Sequence, residues 1–285
     1  MKRVFTVVLL IIASMLLLGA CKKRKSEVDT YDNSEITDPN FKIELNKDSD
    51  FKGFTKLIKV FNIPIYAVEG VEDVKLYHAA NVMAEYLDND EDGKVDNAKV
   101  YDILIAKKAF LFMWKDASDA KKMGFPKGIE GQDLGNSETN PEFVSKNCVG
   151  KFDASLEEIL HLITHIGYAN AYPKVFGENQ GSELCEIMDV ARGGKYVSIP
   201  KEYPSSAWYT YDDTTCEYSC QATEYLYWAL TSVLGAQKNR LVQIQDEWKL
   251  NTKELVKNKD KRIYDLLTNK EYKLPTVLPN GKYRR

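Results

Sequence analysis

The sequence predicts an α+β fold that is predominantly helical, with a small β-sheet in its first half. Two observations predict this class. Apolar residues recur at helical spacing in most segments after residue 72. Two short runs in the first half, LIKVFNIPIYAV at 57–68 and AFLFMWK at 109–115, are instead rich in β-branched and aromatic residues, which favour strands. Pro64 marks the first run as an edge strand or a bulge.

The helical segments can be placed from periodicity and from their start and stop signals. We expect helices over 72–87, 96–107, 156–171, 182–192, 215–236, 240–257 and 260–268. Ser155 and Glu158 match a capping box at the start of the helix over 156–171, and Thr214 and Glu217 form a similar pair. The Gly-, Asn- and Pro-rich stretch over 126–150 predicts a loop with at most one short edge strand.

The N-terminus has the layout of a secretory signal. Lys2 and Arg3 precede an apolar run that is too short to span a bilayer and that ends in Leu-Gly-Ala-Cys at 18–21. This ending resembles the lipobox of bacterial lipoproteins, which implies removal of residues 1–20 and a diacylglycerol on Cys21. The resemblance implies a membrane-anchored, extracytoplasmic protein, and Lys22 after the cysteine implies the outer membrane in a Gram-negative host. We expect residues 21–50 to be a flexible tether and 51–285 a single globular domain.

The net charge and the cysteine content limit the kinds of partner and of covalent cross-link that we expect. The formal net charge is -3, so nothing in the sequence suggests nucleic-acid binding. Cys148, Cys185, Cys216 and Cys220 are an even number in a chain expected outside the cytoplasm, which makes two disulfides plausible in any of three pairings. Metal ligation by Cys216 and Cys220 is the competing interpretation, and the absence of a second close pair weakens it.

An acidic loop lies between the first two predicted helices. Asp88, Asp90, Asp92 and Asp96, with Gly93, occupy positions one, three, five, nine and six of a pattern that resembles an EF-hand loop. The resemblance implies Ca2+, a hard cation that takes several carboxylate oxygens. Position twelve is Lys99 instead of the usual bidentate glutamate. The alternative is an acidic turn without metal.

Two of the three histidines lie four residues apart on one predicted helix. His161 and His165 resemble the two zinc ligands of the zincin metallopeptidases, which implies a zincin-like fold with a Zn2+ site. The zincin general base is absent because Leu162 occupies its position. Glu158 could serve as a displaced base or as a further ligand. Both histidines could also be hydrogen-bonded core residues, and Glu158 a simple helix cap.

Another element must supply the third ligand of such a zinc site. His78 is one candidate, and Glu224 is another because a carboxylate in an apolar helix needs a partner. Glu183 and Glu186 satisfy the same loose spacing, although acidic residues are also favourable at a helix N-terminus.

The segment WYTYDD at 208–213 could line a peptide or carbohydrate site, but aromatic clusters of this kind are more often packed corners. The blocks HAANVMAEYLDNDEDG and WYTYDDTTCEYSCQATEYLYWALTSVLGA resemble parts of an uncharacterised family of exported proteins, which implies no activity. Two hypotheses follow. The first is a membrane-anchored, zincin-like metallohydrolase or peptidase with a structural calcium site. The second is a non-catalytic, calcium-stabilised surface lipoprotein that acts as a binding or adhesion module.

Overall fold

Five strands form one mixed sheet in the order β1-β2-β3-β4-β5. The computed structural model describes residues 37–285, so the expected signal peptide and Cys21 lie outside the described residues. Neighbouring strands are antiparallel from β1 to β3 and parallel from β3 to β5. The strands are β1 (Glu44–Leu45), β2 (Phe54–Val60), β3 (Ile63–Val68), β4 (Phe110–Trp114) and β5 (Gly131–Gly135).

The run over 57–68, predicted as a single strand, is a β-hairpin. Phe61 and Asn62 have φ angles of 46° and 66°, which close a tight turn between β2 and β3. Pro64 lies in β3 at the centre of the sheet, so its prediction as an edge residue is wrong. The ring is tolerated because the parallel register with β4 begins only at Ile65, after the proline.

Residues before the predicted boundary at 51 already take part in the sheet. Strand β1 pairs with β2, and the Asn46 side chain donates to the Phe51 and Phe54 carbonyls. The later part of the expected tether therefore belongs to the fold.

Helices account for 36% of the chain and strands for 12%. The α+β class is confirmed, while a predominantly helical composition is not. The helices are α1 (Asp73–Leu87), α2 (Ala98–Ala106), α3 (Ser155–His161, continued by a π-helical turn over Leu162–Tyr168 and by Ala169–Ala171), α4 (Glu183–Ala191), α5 (Tyr218–Leu234), α6 (Leu241–Ile244), α7 (Lys253–Lys259) and α8 (Lys261–Leu267). A short 3-10 turn covers Ala117–Lys121.

The helix predicted over 240–257 is interrupted by a buried aromatic residue. Trp248 is fully buried and forms an antiparallel bridge with Tyr209, and its indole nitrogen donates to the Ser232 hydroxyl. Because this side chain is buried, the backbone does not remain helical between α6 and α7. Helical periodicity in the sequence does not reveal a long-range contact of this kind.

Helix α3 packs against α1, β5 and α5, and its π-helical turn packs against α2. The close approach to α2 depends on Gly167, where an added Cβ would lie 2.7 Å from Val100 Cγ1. This contact fixes the position of α3 relative to α2. Within residues 37–285, no helix combines the length and apolar composition that a membrane span requires.

Neither predicted capping box forms. Ala154 caps α3 without a side-chain hydrogen bond, and Ser155 Oγ is buried with no partner among the described residues. Helix α5 begins after Glu217, whose side chain makes no capping bond. Glu158 is therefore not engaged as a cap, because α3 begins one residue earlier than the box requires.

One disulfide joins Cys216 to Cys220 at the start of α5. The expectation of two disulfides is wrong, since Cys148 and Cys185 are free and buried. The Cys185 thiol donates to the Gly177 carbonyl at 3.5 Å, so it has a local partner inside the core. The bridge also removes the alternative in which Cys216 and Cys220 ligate a metal.

Candidate metal centre

Three ionisable side chains converge between α3 and α5. Glu157, His161 and Glu224 each offer one ligand atom, and these atoms lie within 4.8 Å of one another. Glu157 and His161 are four residues apart in the α-helical part of α3, which places them on one face. Glu224 projects from the facing helix α5. One imidazole and two carboxylates are a donor set that transition metals accept.

The imidazole of His161 lies between two carboxylates. Its Nε2 is 3.6 Å from Glu224 Oε2, and its Nδ1 is 3.6 Å from Glu158 Oε2. His161 is only 6% exposed, and Nε2 is buried with no hydrogen-bond partner among the described residues. An unpaired buried nitrogen costs about 1–3 kcal/mol. Whether Nε2 carries a proton or a lone pair, it has no hydrogen-bond partner at this position, although the Glu224 carboxylate is nearby.

Burial raises the pKa of both candidate carboxylate ligands. The pKa of Glu157 rises to about 7, chiefly through burial and next through the charge of Glu158. The pKa of Glu224 rises to about 8, again chiefly through burial, with His161 acting in the opposite direction. Carboxylates in this state gain most from a cation that neutralises them in place.

Glu158 occupies the other side of the imidazole. Its Oε2 accepts a hydrogen bond of 2.6 Å from Gln132 Nε2, which comes from β5. Burial, reinforced by the charge of Asp133, raises the pKa of Glu158 well above its usual range. A buried carboxyl group with a raised pKa favours its protonated form and can take part in proton transfer.

His165 is not part of this convergent group. Its Nδ1 lies 2.5 Å from Glu178 Oε2, and its side chain is 49% exposed. The turn from Leu162 to Tyr168 is π-helical, so the spacing that brings i and i+4 together in an α-helix does not carry across it. The Glu178 hydrogen bond raises the pKa of His165. The structure therefore does not bring His161 and His165 together as the predicted pair of ligands.

His78 pairs elsewhere as well. Its Nε2 lies 2.6 Å from Asp153 Oδ2, and both side chains are buried. The hydrogen bond to His78 helps to lower the pKa of Asp153 against the effect of burial. Asp153 precedes α3, so this contact joins α1 to the start of α3 and leaves Glu224 as the third residue of the centre.

Glu157 belongs to the convergent group but was not predicted from the sequence. The pair of histidines favoured Glu158, although Glu157 lies four residues before His161 and thus has the same helical spacing as His161 and His165. The alternatives Glu183 and Glu186 lie in the first turn of α4, outside the convergent group. The site could have been predicted from the Glu-x-x-x-His spacing of Glu157 and His161 together with the carboxylate of Glu224 in the apolar helix α5.

Three of the four aspartates in the acidic loop come together. Asp88, Asp90 and Asp96 offer oxygens within 4.8 Å of one another. Asp92 Oδ1 instead accepts a hydrogen bond of 2.8 Å from the backbone amide of Lys94. Gly93, at φ 86°, donates to Asp88 Oδ2 at 2.8 Å and closes the loop.

The rest of the loop departs from an EF-hand. Lys99, at position twelve, places its ammonium 4.2 Å from the centroid of the Tyr172 ring and does not contribute an oxygen. Asp88 is fully buried and also accepts a hydrogen bond from the hydroxyl of Tyr283. The C-terminal segment therefore covers one side of the loop.

The segment over 208–213 packs against the core beside the centre. Trp208 Nε1 donates to Asp260 Oδ2 at 2.7 Å, and Tyr209 is buried with its hydroxyl donating to the Gln221 carbonyl. Tyr211 lies close to Glu224, whose charge contributes to the raised pKa of the Tyr211 hydroxyl after the larger effect of burial. The charge of Glu224 contributes in the same way to the raised pKa of the Tyr209 hydroxyl, so two tyrosines of this segment are near the centre.

The raised pKa values predict a pH-dependent stability of the metal-free protein. A carboxyl group whose pKa is higher in the folded state stabilises the fold fully below about pH 4.5, and this contribution is lost as the pH rises through 7 to 8. We expect the free energy of unfolding to fall between pH 5 and 8 by an amount on the order of a few kcal/mol. Glu224→Gln should make the decline shallower, as measured by urea denaturation in a chelator. An unchanged pH profile in this variant would contradict the assignment of Glu224.

Comparison with known proteins adds no further assignment: no protein-family model, no curated protein sequence and no solved structure matches this chain.

Proposed function

We propose that this chain is an extracytoplasmic, lipid-anchored metal-binding protein whose centre is formed by Glu157, His161 and Glu224. The observation that supports it most directly is the buried Nε2 of His161, which has no hydrogen-bond partner among residues 37–285 and lies beside Glu224. A divalent cation bound there would accept the nitrogen lone pair and offset the two buried carboxylates. One bound ion would therefore remove both the cost of the unpaired nitrogen and the cost of the buried carboxylate charges.

The chemistry that this centre suits best is metal-assisted hydrolysis. Glu157, His161 and Glu224 would hold the ion as three protein ligands, and a bound Zn2+ would supply the activation of water for hydrolysis. Glu158 lies on the Nδ1 side of His161, and burial raises its pKa, which suits it to the role of a general acid. The similarity to zincins is then one of chemistry: one helix supplies two ligands, and a separate helix supplies a glutamate.

The second candidate function is a non-catalytic surface lipoprotein stabilised by Ca2+. Two observations favour it: Asp88, Asp90 and Asp96 converge, and His161 and Glu224 are each less than a tenth exposed. Burial of this degree suits a structural ion as well as a catalytic one. In both cases the partners are a membrane, through Cys21, and a peptide or carbohydrate ligand.

Zinc titration with matched variants tests the centre. Protein dialysed against metal-free buffer should bind one equivalent of Zn2+ between α3 and α5, with an affinity that falls as the pH drops and the ligands protonate. His161→Ala, Glu157→Gln and Glu224→Gln should each remove this equivalent in calorimetric titration. His165→Ala is the matched control, because this imidazole lies outside the group and should leave the stoichiometry unchanged.

Retention of the full equivalent by His161→Ala would rule out the centre as proposed. Where zinc binds, Glu158→Gln separates the two candidate functions. A loss of about a hundredfold or more in the hydrolysis of a peptide or ester substrate supports the hydrolase, since general acid–base groups contribute on this scale. Wild-type protein that binds zinc and hydrolyses neither substrate favours the structural alternative.

The acidic loop gives a second metal test. Adding millimolar Ca2+ to chelated protein should raise the melting temperature, because an ion that binds only the folded state stabilises it by about 2.7 kcal/mol at a hundred times its Kd. Asp90→Ala should remove this rise. Asp92→Ala is the control, since Asp92 lies outside the convergent group, and it should keep most of the effect. If calcium leaves the melting temperature of the unmodified protein unchanged, the loop is only an acidic turn.

The anchor can be tested separately. Cys21→Ala should move the protein from the detergent phase into the soluble fraction during phase separation of cell extracts, because it removes the proposed acylation site. Unchanged partitioning would argue against lipidation. In a Gram-negative host we expect the wild-type protein in the outer-membrane fraction.

A further inference from the structure

Arg240, just before α6, is a half-buried cation without a carboxylate partner. The buried Arg192 pairs with Asp189 at 2.9 Å, whereas no carboxylate oxygen among residues 37–285 lies within 4.0 Å of the Arg240 guanidinium. A guanidinium group carries five N–H donors. In this part of the chain its only hydrogen bond is from Nη1 to Gln237 Oε1, so most of its donors are available to a ligand.

The guanidinium group is nevertheless held in one position. Its central carbon lies 3.8 Å from the centroid of the Phe152 ring, a stacking contact that fixes its plane. Gln237, which accepts from Nη1 at 2.6 Å, is fully buried and donates in turn to Thr231 Oγ1 at 2.9 Å. A cation held in this way loses little further freedom when a ligand binds to it.

A second donor without a partner lies beside Arg240. The indole Nε1 of Trp228 is buried and has no hydrogen-bond partner among the described residues, and the side chain is only 6% exposed. The guanidinium carbon of Arg240 lies 6.0 Å from the centroid of this indole ring. A buried donor without an acceptor is unfavourable. Both groups therefore need an acceptor, and the two oxygens of a carboxylate can accept from both.

One residue, Tyr227, connects these donors with the metal centre. Its ring lies edge-on to the imidazole of His161, with 5.4 Å between the centroids, and 4.7 Å from the Trp228 ring. The Tyr227 hydroxyl accepts from Gln237 Nε2 at 3.3 Å, and the Oε1 atom of the same amide holds Arg240. A ligand that binds at Arg240 is thus one side chain away from His161.

The charges around Arg240 favour an anion with a single negative charge. Burial raises the pKa of Glu157 and of Glu247 to about 7 each, and the positive charge of Arg240 opposes the rise in both cases. Arg240 therefore lies within electrostatic range of two carboxyl groups. A doubly charged anion such as phosphate would be repelled by them more strongly than a carboxylate.

We propose that Arg240 and the indole N–H of Trp228 bind a carboxylate of the ligand that the centre at Glu157, His161 and Glu224 acts on. The proposal rests on the proposed metal centre and specifies its ligand class. The C-terminus of a peptide and an acidic sugar both supply such a group. Arg240 and Trp228 would then act in binding and selectivity, separately from the metal ligands.

Calorimetric titration of zinc-loaded protein tests the proposal. The probes are two matched pairs, acetyl-trialanine with its C-terminal amide and glucuronate with glucose, and inorganic phosphate. At least one acid should bind about tenfold or more tightly than its uncharged partner, because charge-assisted hydrogen bonds contribute on this scale. The pair that shows the preference identifies the source of the carboxylate. The preference should fall as salt is added, and phosphate should bind more weakly than the preferred acid.

Two variants assign the preference to the two donors. Arg240→Gln should abolish it, and Trp228→Phe should reduce it severalfold, because phenylalanine keeps an aromatic ring and removes the N–H donor. Lys238→Gln is the matched control: it removes an exposed positive charge two residues away, whose ammonium binds the Asn147 side chain at 2.6 Å. This control should keep the preference. Trp228→Phe also provides an independent test if Arg240→Gln does not fold.

Equal binding of the acids and their uncharged partners overturns the proposal, as does tighter binding of phosphate. A preference that survives in Arg240→Gln also overturns it, because the metal ion would then hold the carboxylate. Zinc stoichiometry is measured on the same samples. If zinc binds and the acids show no preference, the carboxylate site fails alone. If zinc does not bind but the preference depends on Arg240, the metal centre fails and the carboxylate site stands.

Discussion

The constraint on which the site depends is the burial of carboxylates around one imidazole, with no lysine or arginine among residues 37–285 in an ion pair with Glu157, Glu158 or Glu224. Helices α3 and α5 bring Glu157, His161 and Glu224 together in a region where His161 is 6% exposed and Glu224 is 7% exposed. Desolvation of a charged carboxylate is unfavourable unless a partner compensates it. Buried carboxylates of this kind are tolerated when a bound ligand or a proton neutralises them. Perturbed carboxylates cluster at functional sites, so this part of α3 is the segment that points most directly to function.

The rest of the fold keeps that segment in place. The hydrogen bond between His78 and Asp153 joins α1 to the start of α3, and Gln132 joins β5 to Glu158. At the other end, the absence of a side chain at Gly167 allows α3 to approach α2. The disulfide between Cys216 and Cys220 lies one turn before Glu224, at the start of the facing helix. The ligand geometry is therefore set by contacts on both helices.

Local patterns in the sequence predicted most of the elements but not their connections. Periodicity placed α1, α2, α3 and α5 to within a few residues, and the aromatic run over 109–115 became β4. The helix break at Trp248 and the central position of Pro64 depend on long-range pairing, which local propensity does not encode. Glu224 could be singled out because a carboxylate in an apolar helix needs a partner. Glu157 could not be separated from Glu158 without knowing which face of α3 meets α5.

The same limit explains why the histidine spacing was misleading. A separation of four residues places two side chains on one face only where the helix is α-helical, and from Leu162 the helix is π-helical. His165 then reaches Glu178, and Glu178 in turn accepts from Thr223, the neighbour of Glu224. His161, in the α-helical part of α3, therefore lies in the convergent group, and His165, in the π-helical turn, points away from it toward Glu178.

The two candidate cation sites differ in how many of their polar groups are hydrogen-bonded when no ion is bound. In the acidic loop, Asp88 accepts from the backbone amides of Asp92 and Gly93 and from Tyr283, and Asp96 accepts from the Asn89 amide. Backbone and hydroxyl donors can therefore hold this loop closed, and a cation there adds stability to a fold that already exists. Between α3 and α5, by contrast, His161 Nε2 has no donor or acceptor among the described residues at hydrogen-bond distance. A site whose polar groups remain unpaired in the folded chain gains more from a ligand than one whose groups are already paired. The centre at His161, and not the acidic loop, is therefore where binding of an ion is expected to be tightest.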